Sequence, residues 1–228
     1  MTVTIEPLHI QLQPYLLARK KFYQLLHLLF SMPANVDALF EIKKEVTFKE
    51  LLGQLHEGGK ILDDFFQHLN LEQIKREQQE FQRLFIGPGP LGAPPWESYY
   101  RSREQLLFEE WTYQIRERYH RFGLQYCKEN NEPDDHLLLE LEFMVYLSDL
   151  CLFATKDHRL DKLLATQISF LEEHLLIWIP YFCEKVIENT SSQLYLGAAM
   201  LLEDFLSFDL ESLVEVREGL LLCLKNIH

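Results

Sequence analysis

Apolar residues recur every three or four positions along most of this chain, which is the spacing of one buried face of an α-helix. The pattern is clearest over residues 71–85, where one face carries Leu71, Ile74, Gln78, Phe81 and Phe85. Alternating runs of β-branched residues, which are typical of strands, are missing. The pattern therefore predicts an all-α fold.

Capping and breaking residues predict where the first helices begin and end. Thr47 and Glu50 form a Thr-x-x-Glu capping box, which predicts a short helix that ends at Gly58 and Gly59. Proline ends a helix beyond its first turn, so Pro33 ends the helix before it. The other helices of this part are predicted over residues 14–30, 62–69 and 71–85.

A segment rich in glycine and proline interrupts the helices at residues 87–95. Seven of its nine residues are Gly or Pro, a composition that excludes both a helix and a central strand. Ser102 and Gln105 form a second capping box, which predicts that a helix resumes near residue 102 and continues to Phe122.

The C-terminal half is predicted to be helical almost throughout. Asp134 or Asp135 is a natural N-cap for a helix that runs to about residue 152. The remaining helices are predicted over residues 158–188, with a kink or split at Pro180, and over residues 191–208 and 211–226.

These elements predict a single-domain helical bundle of about 9–11 helices over residues 1–228, with the Gly/Pro-rich segment as a crossover loop. The alternative is a smaller N-terminal part, residues 1–86, joined by the loop 87–101 to a main part, residues 102–228.

Composition and charge narrow the function classes. The 228 residues are 47% hydrophobic and 25% charged, as in globular proteins, and the net charge is −13. An acidic chain is poorly suited to nucleic acid or to an anionic membrane surface, and suits a basic partner. No apolar run reaches the roughly 20 residues that span a bilayer, and no signal peptide is evident at residues 1–13. We expect a cytoplasmic protein without membrane insertion.

The four cysteines form no metal or disulfide pattern. They are scattered, without a Cys-x-x-Cys pair, and are typical of buried thiols in a reducing compartment. Their positions are Cys127, Cys151, Cys183 and Cys223.

Two short matches to catalytic or cofactor motifs are rejected. Gly87, Gly89 and Gly92 match the dinucleotide fingerprint, but no strand precedes them and prolines remove two backbone donors. Glu117 and His120 match one of the two Glu-x-x-His motifs of a di-iron site, but the sequence has no second copy of the motif. We therefore expect no cofactor, no metal site and no enzymatic activity.

Two clusters are left as candidates for a binding site. Asp135 and His136, with Glu132 and Glu140, suit a structural cap, a polar binding pocket or an acid–base pair. Trp96, held behind a proline pair and followed by Tyr residues, suits either an anchor of a peptide-binding surface or a plug in the core.

Two stretches resemble the TorD/DmsD family of redox-enzyme maturation chaperones. The first is Phe-Gln-Arg-Leu-Phe-Ile-Gly-Pro at residues 81–88, followed by Pro-Pro-Trp-Glu-Ser-Tyr at residues 94–99. The second is Glu-Pro-Asp-Asp-His at residues 132–136. The resemblance implies an all-helical chaperone that binds the twin-arginine signal peptide of a molybdopterin-containing reductase precursor, of the dimethyl sulfoxide or trimethylamine oxide reductase type. It also implies that the chaperone supports cofactor insertion before export.

The resemblance and the residue types together define the expected peptide-binding residues. They are Phe81, Leu84, Phe85, Pro95, Trp96, Glu97, Ser98, Tyr99, Glu132, Asp135 and His136. The carboxylates of Glu97, Glu132 and Asp135 are expected to pair with the client's arginines, and the aromatic side chains to cover the apolar stretch that follows. Arg101 and Arg103 depart from the acidic stretch that several members carry, which leaves the client's identity open.

Three alternatives are retained. One is an assembly chaperone of the nitrate reductase type, and another is a small-molecule enzyme that uses Asp135 and His136. The third is a structural subunit of a reductase. We expect the chain to be a monomer or a weak homodimer.

Overall fold

The computed structural model describes residues 7–31, 36–45 and 57–226. Within these ranges the chain forms eleven α-helices, two π-helical segments and no strand, which confirms the all-α prediction. The α-helices are α1 (Leu8–Gln11), α2 (Gln13–Ser31), α3 (Val36–Glu45), α4 (Glu57–His68), α5 (Leu71–Phe81), α6 (Glu97–Arg101), α7 (Glu110–Arg121), α8 (Leu137–Leu152), α9 (Asp157–Phe170), α10 (Leu176–Asn189) and α11 (Gln193–Asn226). The π-helical segments are Gln82–Ile86, which continues α5, and Leu171–Leu175, which joins α9 to α10. The predicted capping box at Thr47 and Glu50, like Pro33, lies outside the described residues.

The core forms where α2 packs along α8 and where α11 runs past α4, α9 and α10. Its largest fully buried side chains are Trp178, Tyr23, Tyr195, Phe170 and Phe182. These aromatic residues come from α2, α9, α10 and α11, so one hydrophobic cluster joins the early and late helices. No helix in the described ranges is both long enough and apolar enough to cross a membrane.

Gly58 and Gly59 do not end a helix, contrary to the sequence prediction, but lie in the first turn of α4. A Cβ on Gly58 would lie 2.8 Å from the carbonyl oxygen of Gly197, and a Cβ on Gly197 would lie 2.8 Å from Cγ of Leu62. Two facing glycines therefore let α4 and α11 cross at very short distance. The glycine serves close packing between helices here, not a C-terminal cap.

The predicted helix start at Ser102 is also wrong, because α6 ends there. The Ser102 hydroxyl accepts 3.3 Å hydrogen bonds from the backbone N–H groups of Glu104 and Leu106 and so caps a turn. Gln105 and Phe108 have φ angles of 56° and 61°, a left-handed conformation that cannot continue a right-handed helix. Helix α7 begins only at Glu110.

Neither predicted interruption in the C-terminal half splits a helix. Helix α10 continues through Pro180, and the change in hydrogen bonding lies upstream, in the π-helical segment Leu171–Leu175. The predicted break between residues 208 and 211 does not occur, since α11 is a single helix of 34 residues. Asp209 lies within the predicted break, but its side chain turns into the core.

Asp209 anchors α2 to α11 through a buried ion pair. Its two carboxylate oxygens accept hydrogen bonds from Nε of Arg19 at 2.5 Å and Nη2 at 2.7 Å, and Tyr23 donates its hydroxyl at 2.7 Å. Arg19 also donates to Oε1 of Gln167 on α9 at 3.0 Å. Arg19 is 4% exposed and Asp209 1%. Losing either partner would leave a buried charge without compensation.

We expect Asp209→Asn to lower the free energy of unfolding by about 3–5 kcal/mol, because the Arg19 charge would remain buried without a carboxylate. Urea denaturation of the two proteins measures the difference. The matched control is Arg217→Ala on the same helix, which removes the half-exposed pair with Asp161 and should cost about 1 kcal/mol or less. Equal losses for the two variants would contradict the role assigned to the buried pair.

Candidate functional site

Two loop segments pair with each other at the centre of the candidate site. The backbone N–H of Glu97 donates to the carbonyl of Asp135 at 3.0 Å, and the N–H of Leu137 donates to the carbonyl of Pro95 at 2.9 Å. Trp96 and His136 therefore face each other as an antiparallel bridge. The Pro-Trp and Asp-His motifs, far apart in sequence, are neighbours in the fold.

The Asp135 carboxylate locks this pairing from inside. It is fully buried and accepts hydrogen bonds from the backbone N–H of Ser98 at 2.6 Å and from the hydroxyl of Thr112 at 2.9 Å. Burial raises the pKa of this carboxyl, and the bonds to Ser98 and Thr112 oppose that shift. Asp135 thus joins the loop, α6 and α7, and does not cap α8 as the sequence had predicted.

His136 is the N-cap of α8. Its Nδ1 accepts a hydrogen bond from the backbone N–H of Leu138 at 3.1 Å, and its ring lies 5.4 Å from that of Trp96 at a steep angle. Burial lowers the pKa of His136 to about 4, so the imidazole is neutral at physiological pH, as an acceptor at Nδ1 requires. Asp135 and His136 bind different groups and form no acid–base pair, which removes the basis for the enzyme alternative.

The π-helical segment Gln82–Ile86 brings the first motif to the same place. The loop folds back onto this segment, as Gly92 and Ala93 donate backbone hydrogen bonds to the carbonyls of Arg83 and Leu84. A Cβ on Gly92 would lie 2.9 Å from Cδ2 of Leu84, so a larger residue here would displace the Leu84 side chain. Single-turn π segments inside helices often occur at functional sites.

Between these segments lies an apolar pocket of about 230 Å³, which we call the motif pocket. The aromatic residues of its lining come from α2, from α5 with its π-helical extension, and from α10. The rest of the wall is formed by the paired loop segments and the start of α8. The lining residues are Phe30, Ser31, Phe81, Gln82, Phe85, Ile86, Pro95, His136, Leu137, Leu138 and Phe182. Ile86, which is 60% exposed, stands at the rim.

Four of the expected binding residues thus line the motif pocket: Phe81, Phe85, Pro95 and His136. The others do not. Trp96 packs beside the pocket against His136, and Tyr99 is partly buried beside Tyr100. Leu84 and Ser98 are fully buried.

The three expected carboxylates are already engaged within the chain. Glu97 is fully buried and binds the guanidinium of Arg101 and the ring of His174. Exposed Glu132 accepts from Lys128 at 2.7 Å and from the hydroxyl of Tyr126 at 2.6 Å. In this structure the carboxylates of Glu97 and Asp135 are buried and bonded within the chain, whereas Glu132 is accessible at the surface.

A buried polar cluster lies beneath the paired segments; the sequence analysis named its carboxylates, Glu97 and Glu140, but not their partners His174 and Trp178. Trp178 donates its indole N–H to Glu140 at 3.2 Å, and Glu97 lies 3.0 Å from Nδ1 of His174. The pKa of Glu140 is raised well above its ordinary value by burial and by the nearby carboxylates of Glu97 and Asp135. Polar residues on otherwise apolar helix faces were the only sequence signal for this cluster.

We expect Glu140→Gln to stabilise the protein increasingly as the pH rises above about 4.3, the ordinary pKa of glutamate. In the unfolded wild-type chain this carboxyl releases its proton there, whereas the folded chain retains it. The free energy of unfolding of wild type therefore falls with rising pH, and glutamine removes this dependence.

Urea denaturation of both proteins across pH 5 to 8 measures the effect. The control is Glu142→Gln, an exposed position on the same helix. A difference between Glu140→Gln and wild type that stays constant with pH would contradict the raised pKa.

In the described part of the chain no group of three or more His, Cys, Asp or Glu side chains is arranged to hold a metal ion. The arrangement instead offers an apolar pocket with a neutral polar rim. Such a site suits an apolar segment of another molecule.

Comparisons with known proteins agree with these motifs. A family model described as nitrate reductase delta subunit matches residues 50–184. The chain is 27% identical to the chaperone protein TorD of Aliivibrio fischeri, over 86% of this chain and 94% of that protein. It is 31% identical to TorD of Vibrio cholerae, over 65% of this chain and 69% of that protein.

A second group of relatives matches over a shorter region. The Tat proofreading chaperone DmsD of Salmonella typhi is 33% identical over 51% of this chain and 52% of that protein. Among solved structures, a candidate redox enzyme maturation protein from Archaeoglobus fulgidus superimposes with a TM-score of 0.51. It is 26% identical over 83% of this chain and 93% of that chain.

Proposed function

Because this chain belongs to the TorD/DmsD family of redox-enzyme maturation chaperones, we propose that it binds the twin-arginine signal peptide of a molybdopterin-containing reductase precursor. Family membership makes it a chaperone in molybdoenzyme maturation and not an enzyme. In the proposed complex, the apolar stretch of the leader occupies the motif pocket. Binding delays export from the cytoplasm until cofactor and partner subunits are in place.

The observation that carries this proposal is the convergence of three sequence motifs on one pocket. Phe81 and Phe85 come from the motif at residues 81–88, Pro95 from the motif at residues 94–99 and His136 from the motif at residues 132–136. At about 230 Å³ the pocket is smaller than the roughly 300–1,000 Å³ that small-molecule sites occupy. It suits one or two apolar side chains of a peptide better than a cofactor.

The lining chemistry supports an apolar occupant. Four phenylalanine rings surround the pocket, and His136 is kept neutral by burial and by its bond to the Leu138 backbone. An apolar side chain that enters such a site gains contact without desolvating a charge. Exposed Ile86 extends the apolar surface outward along the path of a longer peptide.

The client class is proposed as a dimethyl sulfoxide or trimethylamine oxide reductase, on the strength of the TorD and DmsD relatives. A nitrate reductase is the second candidate, because the matching family model is described by the nitrate reductase delta subunit. Calorimetric titration with leader peptides of the two reductase classes distinguishes these candidates by affinity.

We expect Ile86→Asp to weaken binding of a twin-arginine leader peptide at least about tenfold, because a carboxylate at the rim would have to lose water against the apolar stretch. Stability should change by about 0.5 kcal/mol or less, since Ile86 is exposed. Isothermal titration calorimetry measures the affinity.

The matched control is Leu71→Asp, which places the same charge at a residue that is 62% exposed and lies outside the pocket. It should bind the peptide as wild type does. Equal affinity of Ile86→Asp and wild type would argue that the leader binds elsewhere on the chain.

A further inference from the structure

A second groove, distinct from the motif pocket, lies between α10 and α11. It encloses about 360 Å³ and is lined by Pro180, Tyr181, Glu184, Ile187, Glu188 and Glu203. Tyr181 is 59% exposed and Ile187 is 38% exposed, so the groove has an apolar and aromatic surface open to solvent. We call it the acidic groove because carboxylates form half of its lining.

Among the described residues, no Lys or Arg forms an ion pair with these carboxylates. Tyr181, Glu184 and Glu188 follow each other at helical spacing on one face of α10. None of the groove's lining residues is a lysine or arginine. None of the ion pairs formed within the described ranges involves Glu184, Glu188 or Glu203. The pKa of Glu203 is raised by burial and by the carboxylates of Asp204 and Glu184, as expected where negative charge is uncompensated.

The lining of the motif pocket itself contains no carboxylate that could bind the positive end of a leader. His136 is its one titratable lining residue and is neutral, and Glu97 and Asp135 are buried and bonded within the chain. A twin-arginine leader carries two guanidinium groups ahead of its apolar stretch. Those charges need an acidic surface near the pocket. Helix α10 contributes residues to both the motif pocket and the acidic groove.

We propose that the acidic groove binds the arginine pair of the leader whose apolar stretch occupies the motif pocket. This assignment rests on the function proposed above. Guanidinium groups pair with Glu184 and Glu188 and stack on the ring of Tyr181, a geometry that suits arginine better than lysine.

Helix α10 contributes neighbouring residues to both sites. Tyr181 lines the acidic groove and its neighbour Phe182 lines the motif pocket, so the sites adjoin the same turn of α10. A helix with its side chains is about 10 Å across. An extended segment covers about 3.3 Å per residue, so a few residues between the arginines and the apolar stretch bridge the sites.

The test is a titration of the full chain with two synthetic peptides. One carries an Arg-Arg pair followed by an apolar segment, and the other has both arginines replaced by glutamine. Wild type should bind the arginine peptide roughly fivefold to tenfold more tightly, and added salt should reduce this preference. The double variant Glu184→Gln/Glu188→Gln should lose most of the preference and retain affinity for the glutamine peptide.

A matched double variant controls for net charge. Glu211→Gln/Glu215→Gln removes the same charge from exposed positions of α11 outside the groove and should keep the wild-type preference. The assignment of the acidic groove is wrong if Glu184→Gln/Glu188→Gln keeps the full preference for the arginine peptide. It is also wrong if wild type binds both peptides equally. In either case the assignment of the motif pocket is unaffected. If wild type binds neither peptide, the proposed function fails, and the groove assignment fails with it.

Discussion

The short antiparallel pairing of residues 95–97 with residues 135–137 is the constraint on which the candidate site depends. Its two backbone hydrogen bonds are fixed by the buried Asp135 carboxylate, which holds α6 and α7 to the start of α8. Four of the nine residues of the loop 87–95 are prolines, which have no backbone N–H to donate. The pairing with residues 135–137 fixes the end of this loop. It also places Pro95 and His136 side by side as one wall of the motif pocket. Without it, the aromatic residues of the first motif would lack this wall.

The same arrangement keeps the buried carboxyl groups apart from the apolar lining of the motif pocket. The carboxyl groups of Glu97, Asp135 and Glu140 face inward, where His174, Trp178 and Thr112 bind them. The face left toward the pocket is aromatic and aliphatic. A pocket of this kind binds through apolar contact and shape, and any recognition of positive charge has to come from another surface. The net charge of −13 therefore does not act at the motif pocket itself, although it favours encounter with a basic leader from a distance.

Local sequence patterns predicted the fold class, the amphipathic helix that ends in Phe85 and the loop after it. Helical periodicity and Gly/Pro content predict these elements because they determine the backbone conformation of the same few residues. They failed where a residue's role depends on a distant partner. Gly58 suggested a helix end, yet it faces Gly197 across a close helix crossing. Asp135 suggested a cap, yet Thr112 and Ser98 fix its side chain inward. The family resemblance grouped the motifs into one expected site, but it could not show which side chains of the paired segments point into the core.

We propose that the motif pocket holds the apolar stretch of a client leader. It is tested most directly by photo-crosslinking the full chain to a twin-arginine leader with a photoreactive residue in that stretch, followed by mass spectrometry of the linked fragments. We expect crosslinks to the accessible lining of the pocket, at Gln82, Ile86 and Leu138. Crosslinks confined to other exposed apolar residues, such as Leu106 and Phe108, with none in the pocket, would contradict it.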